Sequence, residues 1–591
     1  MEIGRVVMRL LAFLSLMAFA MVPASAGTIT ILDAESQPVP RAMVTMIADQ
    51  FNAESEILPK SITKFADDQG VVTFSEEEKP LTVNYNMRAQ GYKDASVTNV
   101  AASEDLQVTL VPETDPLALA EAMPSSSWLA ALEFPDEALK KHFVTQCTYC
   151  HQQGNELTRY ERNAGAWNAT IQRMVGFGSR LASDAQEILP EILTQNYARL
   201  HENPELIKPL APWESYLKDS IVYEWPVGDV GSNMHDALIA KTGSDLVYVG
   251  DDVKGDLIEV DLTTGKQITY KIPSEPGDER GGPLGFELDV FPDVGYVRIH
   301  SLAESMKDGH IFTTDARQSR IHEFNPKTKQ FKAHQIPNGL FPHTIRIDQQ
   351  DRVWFTMAVT NQVGMLDRAT DKFTMYDLPA RSFAEGIQIA AIPLMIKAAE
   401  SGINLNNFPI SRDVAGLPMP YGIDVAPNGD VWFTRLHADD IGRINGKTGE
   451  VTMFSTPFVG PRRMRTDRDG NVWVTGYADS IIAKFDPITE KFTQYDLPEM
   501  LGGGEIPYAL NIDHDSGLVW VTGTASDTLM SMNMKTQEWR VYPMPRRGSY
   551  TRELVITSDG GVLTSTSSNP AWHTEGSQPT VILLKTGNRT Q

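Results

Sequence analysis

The sequence predicts a multidomain chain in three successive parts: an all-β sandwich, an all-α domain and a seven-bladed β-propeller. Three observations carry that fold class. From about residue 218 to the end, a strand–turn–strand pattern recurs with a spacing of about 40 residues, the size of one four-stranded blade. Before it, around Cys147-Thr148-Tyr149-Cys150-His151, apolar residues return at helical spacing. Earlier still, short alternating runs are separated by Pro-rich and Asp-Gly turns, as in a small sandwich. A chain of 591 residues is also too long for one core.

Composition narrows the function before any motif does. Hydrophobic content of 41% and charged content of 22% fit folded soluble domains. The formal charge of -24 argues against nucleic acid and anionic membrane surfaces as partners, and is compatible with a basic redox partner. Residues 1–26 read as a secretory signal peptide. Arg5 and Arg9 start it, Leu10 to Val22 is an apolar run too short to span a bilayer, and Ala24-Ser25-Ala26 offers a cleavage site. No later run is long enough for a transmembrane helix. The expectation is a secreted chain, periplasmic in a bacterium, with no membrane span.

Residues 27–112 supply the sandwich. Thr28 to Leu32 and Ala42 to Met46 alternate around the turn Gln37-Pro38-Val39-Pro40, and Asp67-Asp68-Gln69-Gly70 precedes Val71 to Phe74. Further strands are expected at Leu81 to Ala89 and Leu106 to Val111. This order resembles the carboxypeptidase regulatory-like (transthyretin-like) domain, which implies a structural or binding module. Residues 113–135, rich in Pro and Ala and carrying Ser125-Ser126-Ser127, read as a linker.

Cys147 and Cys150 are the two cysteines of the chain. Followed by His151, they make the Cys-x-x-Cys-His attachment pattern of a c-type haem, with one covalent haem and His151 on the iron. A structural zinc site needs about four ligands, and no second cysteine pair supplies them. Helices are expected from Asp136 into the motif, over Ala166 to Met174 on Trp167 and Ile171, and over Ser183 to Leu200 on Ile188, Ile192 and Tyr197. Residues 136–205 therefore resemble a monohaem cytochrome c-like domain. The resemblance implies Met174 as the second axial ligand, with His142 and His201 as rivals.

In the repeats, Tyr421-Gly422-Ile423 leads to Asn428-Gly429-Asp430-Val431-Trp432-Phe433-Thr434, and Arg462-Arg463-Met464 leads to Asp469-Gly470-Asn471-Val472-Trp473. About seven copies can be aligned on that turn, with first strands starting near His235, His300, His343, Tyr421, Arg462, Tyr508 and Arg552. The last copy lacks a final strand. Ile221 to Pro226, upstream of the first copy, is expected to supply it and close the ring, protecting open sheet edges. Residues 273–296 and 380–418 interrupt the period, and Ile387 to Ser401 in the second insertion reads helical.

These repeats resemble the virginiamycin B lyase (streptogramin lyase) family of seven-bladed propellers. The resemblance implies histidine, glutamate and magnesium chemistry at one end of the channel, with His343 in Phe341-Pro342-His343-Thr344-Ile345 at a family histidine position. The family's glutamate is not matched: Met357, Arg435, Gly476 and Gly523 stand there, with Asp251 and Asp315 in the first two blades. A propeller's inner strands line its axis, so the seven residues that begin the first strands are expected around one mouth, suited to an anionic or phenolic ligand with histidine as base. A pyrroloquinoline quinone propeller would carry tryptophan-docking motifs, and these are absent.

Three functions follow as expectations. The first is haem-mediated electron transfer, with another cytochrome as redox partner, coupled to binding or oxidation of a small organic ligand at the mouth. The second is a propeller lyase or hydrolase with an accessory haem. The third is a non-catalytic binding protein with an electron-transfer haem.

Overall fold

The computed structural model describes residues 27–48, 60–74, 82–241, 245–282, 294–401, 417–498 and 504–587. The expected signal peptide lies outside the described residues, as do parts of both insertions, 283–293 and 402–416.

The repeats fold into seven blades. Six are four-stranded antiparallel meanders whose first strands are Met234–Ile239, Ile299–Glu304, Pro342–Ile347, Pro420–Val425, Pro461–Thr466 and Pro507–Asp513. The seventh holds Leu554–Ile556, Val562–Ser565 and Thr580–Thr586, and Ser220–Pro226 completes it by pairing antiparallel along Thr580–Thr586. The described part of the second insertion is a helix, Phe383–Glu400.

In the third and fifth blades the turn after the first strand is built by its own side chains. Asp467 accepts from the N–H groups of Asp469 (3.0 Å) and Asn471 (2.8 Å), and its other oxygen accepts from the Trp473 indole at 3.0 Å. Asp348 does the same for Gln350, Arg352 and Trp354. An acidic side chain that pins a tight turn and satisfies a buried indole explains why the aspartate, turn and tryptophan recur together.

Threonines join blade to blade. The hydroxyl of Thr434 accepts from the Gly422 N–H of its own blade (2.8 Å) and donates to the Arg462 carbonyl of the next (2.6 Å). Thr314, Thr356 and Thr475 repeat this bridge to His343, Tyr421 and Tyr508. Thr434→Val keeps the shape but leaves a buried donor and acceptor unpaired. It is expected to cost about 1–3 kcal/mol, read as a lowered denaturant midpoint.

The N-terminal region does not end at its own edge. Ser61–Phe65 pairs with Ser220–Pro226, and the sheet continues through Met43–Ala48, Thr82–Arg88 and Ala95–Ala101. Blade and N-terminal strands thus form one eight-stranded sheet. A second sheet, Val71–Thr73, Thr28–Leu32 and Leu106–Thr109, packs on it around Ile29, Ile31, Val72, Val44, Ile62 and Tyr85. The outer edge of the closing strand is thereby covered.

The expected fold class needs correction at its centre. The chain is mostly β, with six α-helices among the described residues, and no separate all-α cytochrome c-like domain is evident. The helices Glu137–Cys147, Ala164–Gly176 and Ser183–Glu202 do form around the motif. Their apolar faces (Phe143, Trp167, Leu189, Tyr197), however, belong to one core with Tyr421, Leu436, Tyr477, Ile506, Tyr508 and Tyr550 of the propeller. Periodicity identified the apolar stripe of each helix, but not which element covers it. The expected linker also differs. It contains the helices Pro116–Glu121 and Ser125–Ala131, and Ser125, Ser126, Ser127 and Trp128 are buried in the same core.

Candidate functional site

One backbone irregularity gathers the candidate residues. In each of the first six blades the ladder between the first two strands loses register across two residues. These are His235-Asp236, His300-Ser301, His343-Thr344, Tyr421-Gly422, Arg462-Arg463 and Tyr508-Ala509. A bulge re-aims the side chains it carries. The aligned repeats place one such pair at the axis end of every blade, and the side chains meet. Ring centroids are 3.7 Å apart for His235 and His300, 3.9 Å for His300 and His343, and 3.9 Å for His343 and Tyr421. Tyr421 and Tyr508 share a short hydroxyl–hydroxyl hydrogen bond, and the Arg462 guanidinium lies 3.7 Å from the Tyr508 ring centroid. Arg552 reaches the same cluster, 5.7 Å from that ring.

The structure therefore brings all seven together, but not at an open mouth. Each is at most 4% exposed. Burial holds the three imidazoles well below their ordinary value. Arg552 adds to this for His235, the neighbouring His235 for His300, and Arg463 for His343, so all three are neutral. His235 Nδ1 lies 2.9 Å from Asp236 Oδ1, which fixes the proton there and leaves Nε2 with its lone pair.

Sequence reasoning missed the charges below this ring. Glu553 takes Arg463 at 2.6 Å, Arg346 at 3.2 Å and Arg465 on its other oxygen at 2.5 Å, while Arg463 also reaches Asp236 at 3.1 Å. These residues come from the first, third, fifth and seventh blades. Burial alone would raise the Glu553 carboxyl, but Arg465, Arg463 and Arg346 together hold it below its ordinary value. In the repeats Asp236, Arg463 and Glu553 each directly follow a ring residue, and that doublet was the available signal.

The element that covers the ring is the Cys-x-x-Cys-His turn itself. Tyr477 donates to the Thr148 carbonyl at 2.8 Å, the Tyr550 hydroxyl donates to the same oxygen, and Asn569 N–H donates to the Cys150 carbonyl at 2.8 Å. The Tyr149 hydroxyl bonds His437 Nε2 in the fourth blade. Beyond the motif, Gln152 donates to the Thr524 carbonyl and to Asp527 Oδ1, both at 2.7 Å, and accepts from Ser125 at 2.6 Å. The turn is thus held by the fourth to seventh blades and sits over the axis.

The motif's residues suit a covalent haem. Cys147 is half-buried and Cys150 exposed, and no disulfide joins them. Cys147 closes the helix Glu137–Cys147, and Cys150 and His151 follow it within four residues. His151 Nδ1 lies 2.9 Å from the Gln152 carbonyl, which requires the proton on Nδ1 and leaves Nε2 as a ligand nitrogen. Met174 is half-buried on the helix Ala164–Gly176. The rival His201 points Nε2 at the Arg159 carbonyl (2.8 Å), and His142 Nε2 accepts from the Ala182 N–H (3.0 Å).

Another imidazole, not anticipated from sequence, stands beside the motif. The His573 ring stacks on His151 with centroids 4.3 Å apart. Asn155 Oδ1 accepts from Leu157 N–H, Thr158 N–H and the Thr158 hydroxyl, so its Nδ2 must face His573 Nδ1, at 2.9 Å. That hydrogen bond places the His573 proton on Nε2, making it a donor rather than an iron ligand.

The positions standing in for the lyase glutamate are occupied by structural side chains. Asp251 accepts from the N–H groups of Val253 and Lys254 in its own turn and of Asn233, Asp315 from those of Arg317 and Gln318 in its own turn and of Arg298, and Arg435 is buried in a two-pronged pair with Asp440. One cluster among the described residues has metal-ligand spacing, Asp308, His310 and Glu323, but Arg368 already pairs with Asp308 (2.8 Å) and Glu323 (2.6 Å). No helix among the described residues is long and apolar enough to cross a membrane.

Comparison with known proteins bears on the propeller. The virginiamycin B lyase family matches residues 403–572. No curated protein matches the chain. Among solved structures, a streptogramin B lyase is 16% identical with a TM-score of 0.47, over 62% of this chain and 98% of that one. Virginiamycin B lyase from Staphylococcus aureus gives 16% and 0.47 over 62% and 99%.

Proposed function

We propose that the chain, whose propeller is of the virginiamycin B lyase type, is a secreted, periplasmic c-type haem protein. In this reading Cys147 and Cys150 would hold one haem through thioether bonds, and His151 Nε2 and Met174 would bind its iron. A small organic molecule binds in the histidine, tyrosine and arginine ring at the axis, and another cytochrome exchanges electrons with the haem. When bound, haem supplies one-electron transfer. The chain's own residues do the rest. Arg462 and Arg552 attract negative charge, the Tyr421–Tyr508 pair offers hydroxyls, and the neutral His343 ring offers polar nitrogens to a ligand without gaining a charge. His573 presents an N–H beside the motif.

The single observation that carries the reading is the seating of the Cys-x-x-Cys-His turn directly on that ring. A covalent cofactor attached there lies against the ligand site rather than on a tethered domain. A second reading, elimination chemistry by the propeller alone, is favoured by the family match at residues 403–572. The replacement of the family glutamate by Met357, Arg435, Gly476 and Gly523 weighs against it.

The test is to export the full chain from a host that matures c-type cytochromes and record its reduced spectrum with and without carbon monoxide. Covalent haem that ignores carbon monoxide is expected. Cys147→Ala/Cys150→Ala should lose covalent haem, and Met174→Ala should open the iron to carbon monoxide. A chain that matures without covalent haem overturns the proposal, and unchanged spectra in Met174→Ala remove that ligand from it.

A further inference from the structure

Arginines of the propeller interior differ in their partners. Arg435, Arg463, Arg346 and Arg465 each touch a carboxylate. Arg462 and Arg552, at 1% and 4% exposure, form no ion pair among the described residues, and Asp252 acts on Arg552 through space only. Arg462 uses one nitrogen, Nη2, to donate to the Tyr421 hydroxyl at 3.0 Å, and its Nε and Nη1 have no partner. Arg552 Nη2 donates to the Tyr149 carbonyl at 3.4 Å, and its Nε has no partner. Aromatic faces surround Arg462: the ring centroids of Tyr508, Tyr477, Tyr421 and Tyr149 lie 3.7, 4.1, 5.0 and 5.5 Å from it. Ring faces ease the burial of a guanidinium but do not neutralise it, and a buried charge without a partner is strongly unfavourable.

We propose that Arg462 and Arg552 form a binding site for one carboxylate, held at the propeller axis directly beneath the Cys147–His151 turn. The guanidinium fork offers parallel N–H donors at the spacing of carboxylate oxygens. The hydroxyls of Tyr421 and Tyr508 and the unpartnered Nε2 of His235 and Nδ1 of His300 belong to the same cluster of side chains. Two sources share this chemistry: a haem propionate reaching down from the turn, and a free organic acid. The first source rests on the haem reading above, and the second does not.

An internal anion is the alternative. Tyr508 is buried, which raises its phenol, but Arg462, Arg552 and Arg463 together pull it below its ordinary value. If Tyr508 surrendered its proton, the guanidiniums would need no visitor.

The experiment uses benzoate as probe and calorimetry as readout, on the full chain with haem and on the full-length Cys147→Ala/Cys150→Ala variant. Covalent haem is scored separately by haem staining, so failure of the haem reading is distinguished from failure of this one. Binding to the haem-free variant alone identifies the propionate as the natural occupant. Binding to both forms identifies a free acid. In either case Arg462→Met and Arg552→Met, checked for folding by circular dichroism, should each weaken benzoate at least about tenfold, with Arg462→Lys in between. Absence of benzoate binding in both forms overturns the site. So does the ultraviolet band of ionised tyrosine at neutral pH that vanishes in Tyr508→Phe.

Discussion

Glu553→Gln is expected to destabilise the propeller by about 3–5 kcal/mol, the cost of leaving buried charges without their partner. The carboxylate is 5% exposed and receives Arg463, Arg346 and Arg465. Glutamine keeps the shape and an acceptor but withdraws the negative charge from three guanidiniums. Asp236 remains for Arg463 alone, 3.1 Å away. The affected residues sit on the third, fifth and seventh blades, so loss of the charge loosens the axis rather than one sheet. The measurement is the denaturant midpoint, with Glu450→Gln on the exposed turn as the control expected within about 0.5 kcal/mol of the parent. The pH dependence has a defined sign. The folded carboxyl lies below its unfolded value, so its stabilisation is complete above the unfolded value near 4.5 and disappears as pH falls through the folded one. Glu553→Gln should therefore flatten the acid limb of the stability profile. An unchanged midpoint would remove the charge cross-link from the account of how the ring is held.

Glu505→Gln should act in the opposite direction. Glu505 is 2% exposed, its Oε1 accepting from Ile506 N–H (2.9 Å) and Ala525 N–H (2.8 Å). Burial pushes its carboxyl up to about 7, outweighing the hydrogen bonds that pull it down. Between the unfolded value near 4.5 and the folded value, the native chain holds a proton that the unfolded chain has released. Stability from this group therefore falls as pH rises through that window and levels off above the folded value. The shift from 4.5 to about 7 corresponds to about 3 kcal/mol. Glutamine retains the Oε1 acceptor and cannot ionise, so Glu505→Gln should be more stable than the parent by up to that amount at pH 8 and close to it at pH 4.5. Paired melting curves at the two pH values check this. Equal gains at both would show that the substitution acts through packing rather than through the proton. The effect matters for the site because Glu505 fastens Ala525, whose carbonyl receives Ser126 N–H at 3.0 Å from the helices that carry the motif.

The sequence by itself determined the features that depend on neighbours along the chain. Each blade is a local meander of neighbouring strands, so the period of about 40 residues disclosed seven blades and the strand that closes them. The Cys147–His151 spacing places two thiols and an imidazole on one turn whatever surrounds it. Tertiary structure alone decided what depends on partners distant in the chain. The helices around the motif were legible, but their apolar stripes do not state that propeller tyrosines complete their core, which is why a separate all-α domain was expected. The ring residues were legible from the start of each repeat, yet their burial comes from Thr148, Tyr149 and Cys150, which bond His437, Tyr477 and Tyr550 across 288 to 402 residues of chain, and Asn569 as well. His573 carried no recognisable motif, and the doublet that holds Glu553 does not state which blades supply its arginines, because both roles arise from three-dimensional charge and hydrogen-bond pairing. Periodicity reports which face of an element is apolar, and only packing reports what lies against it.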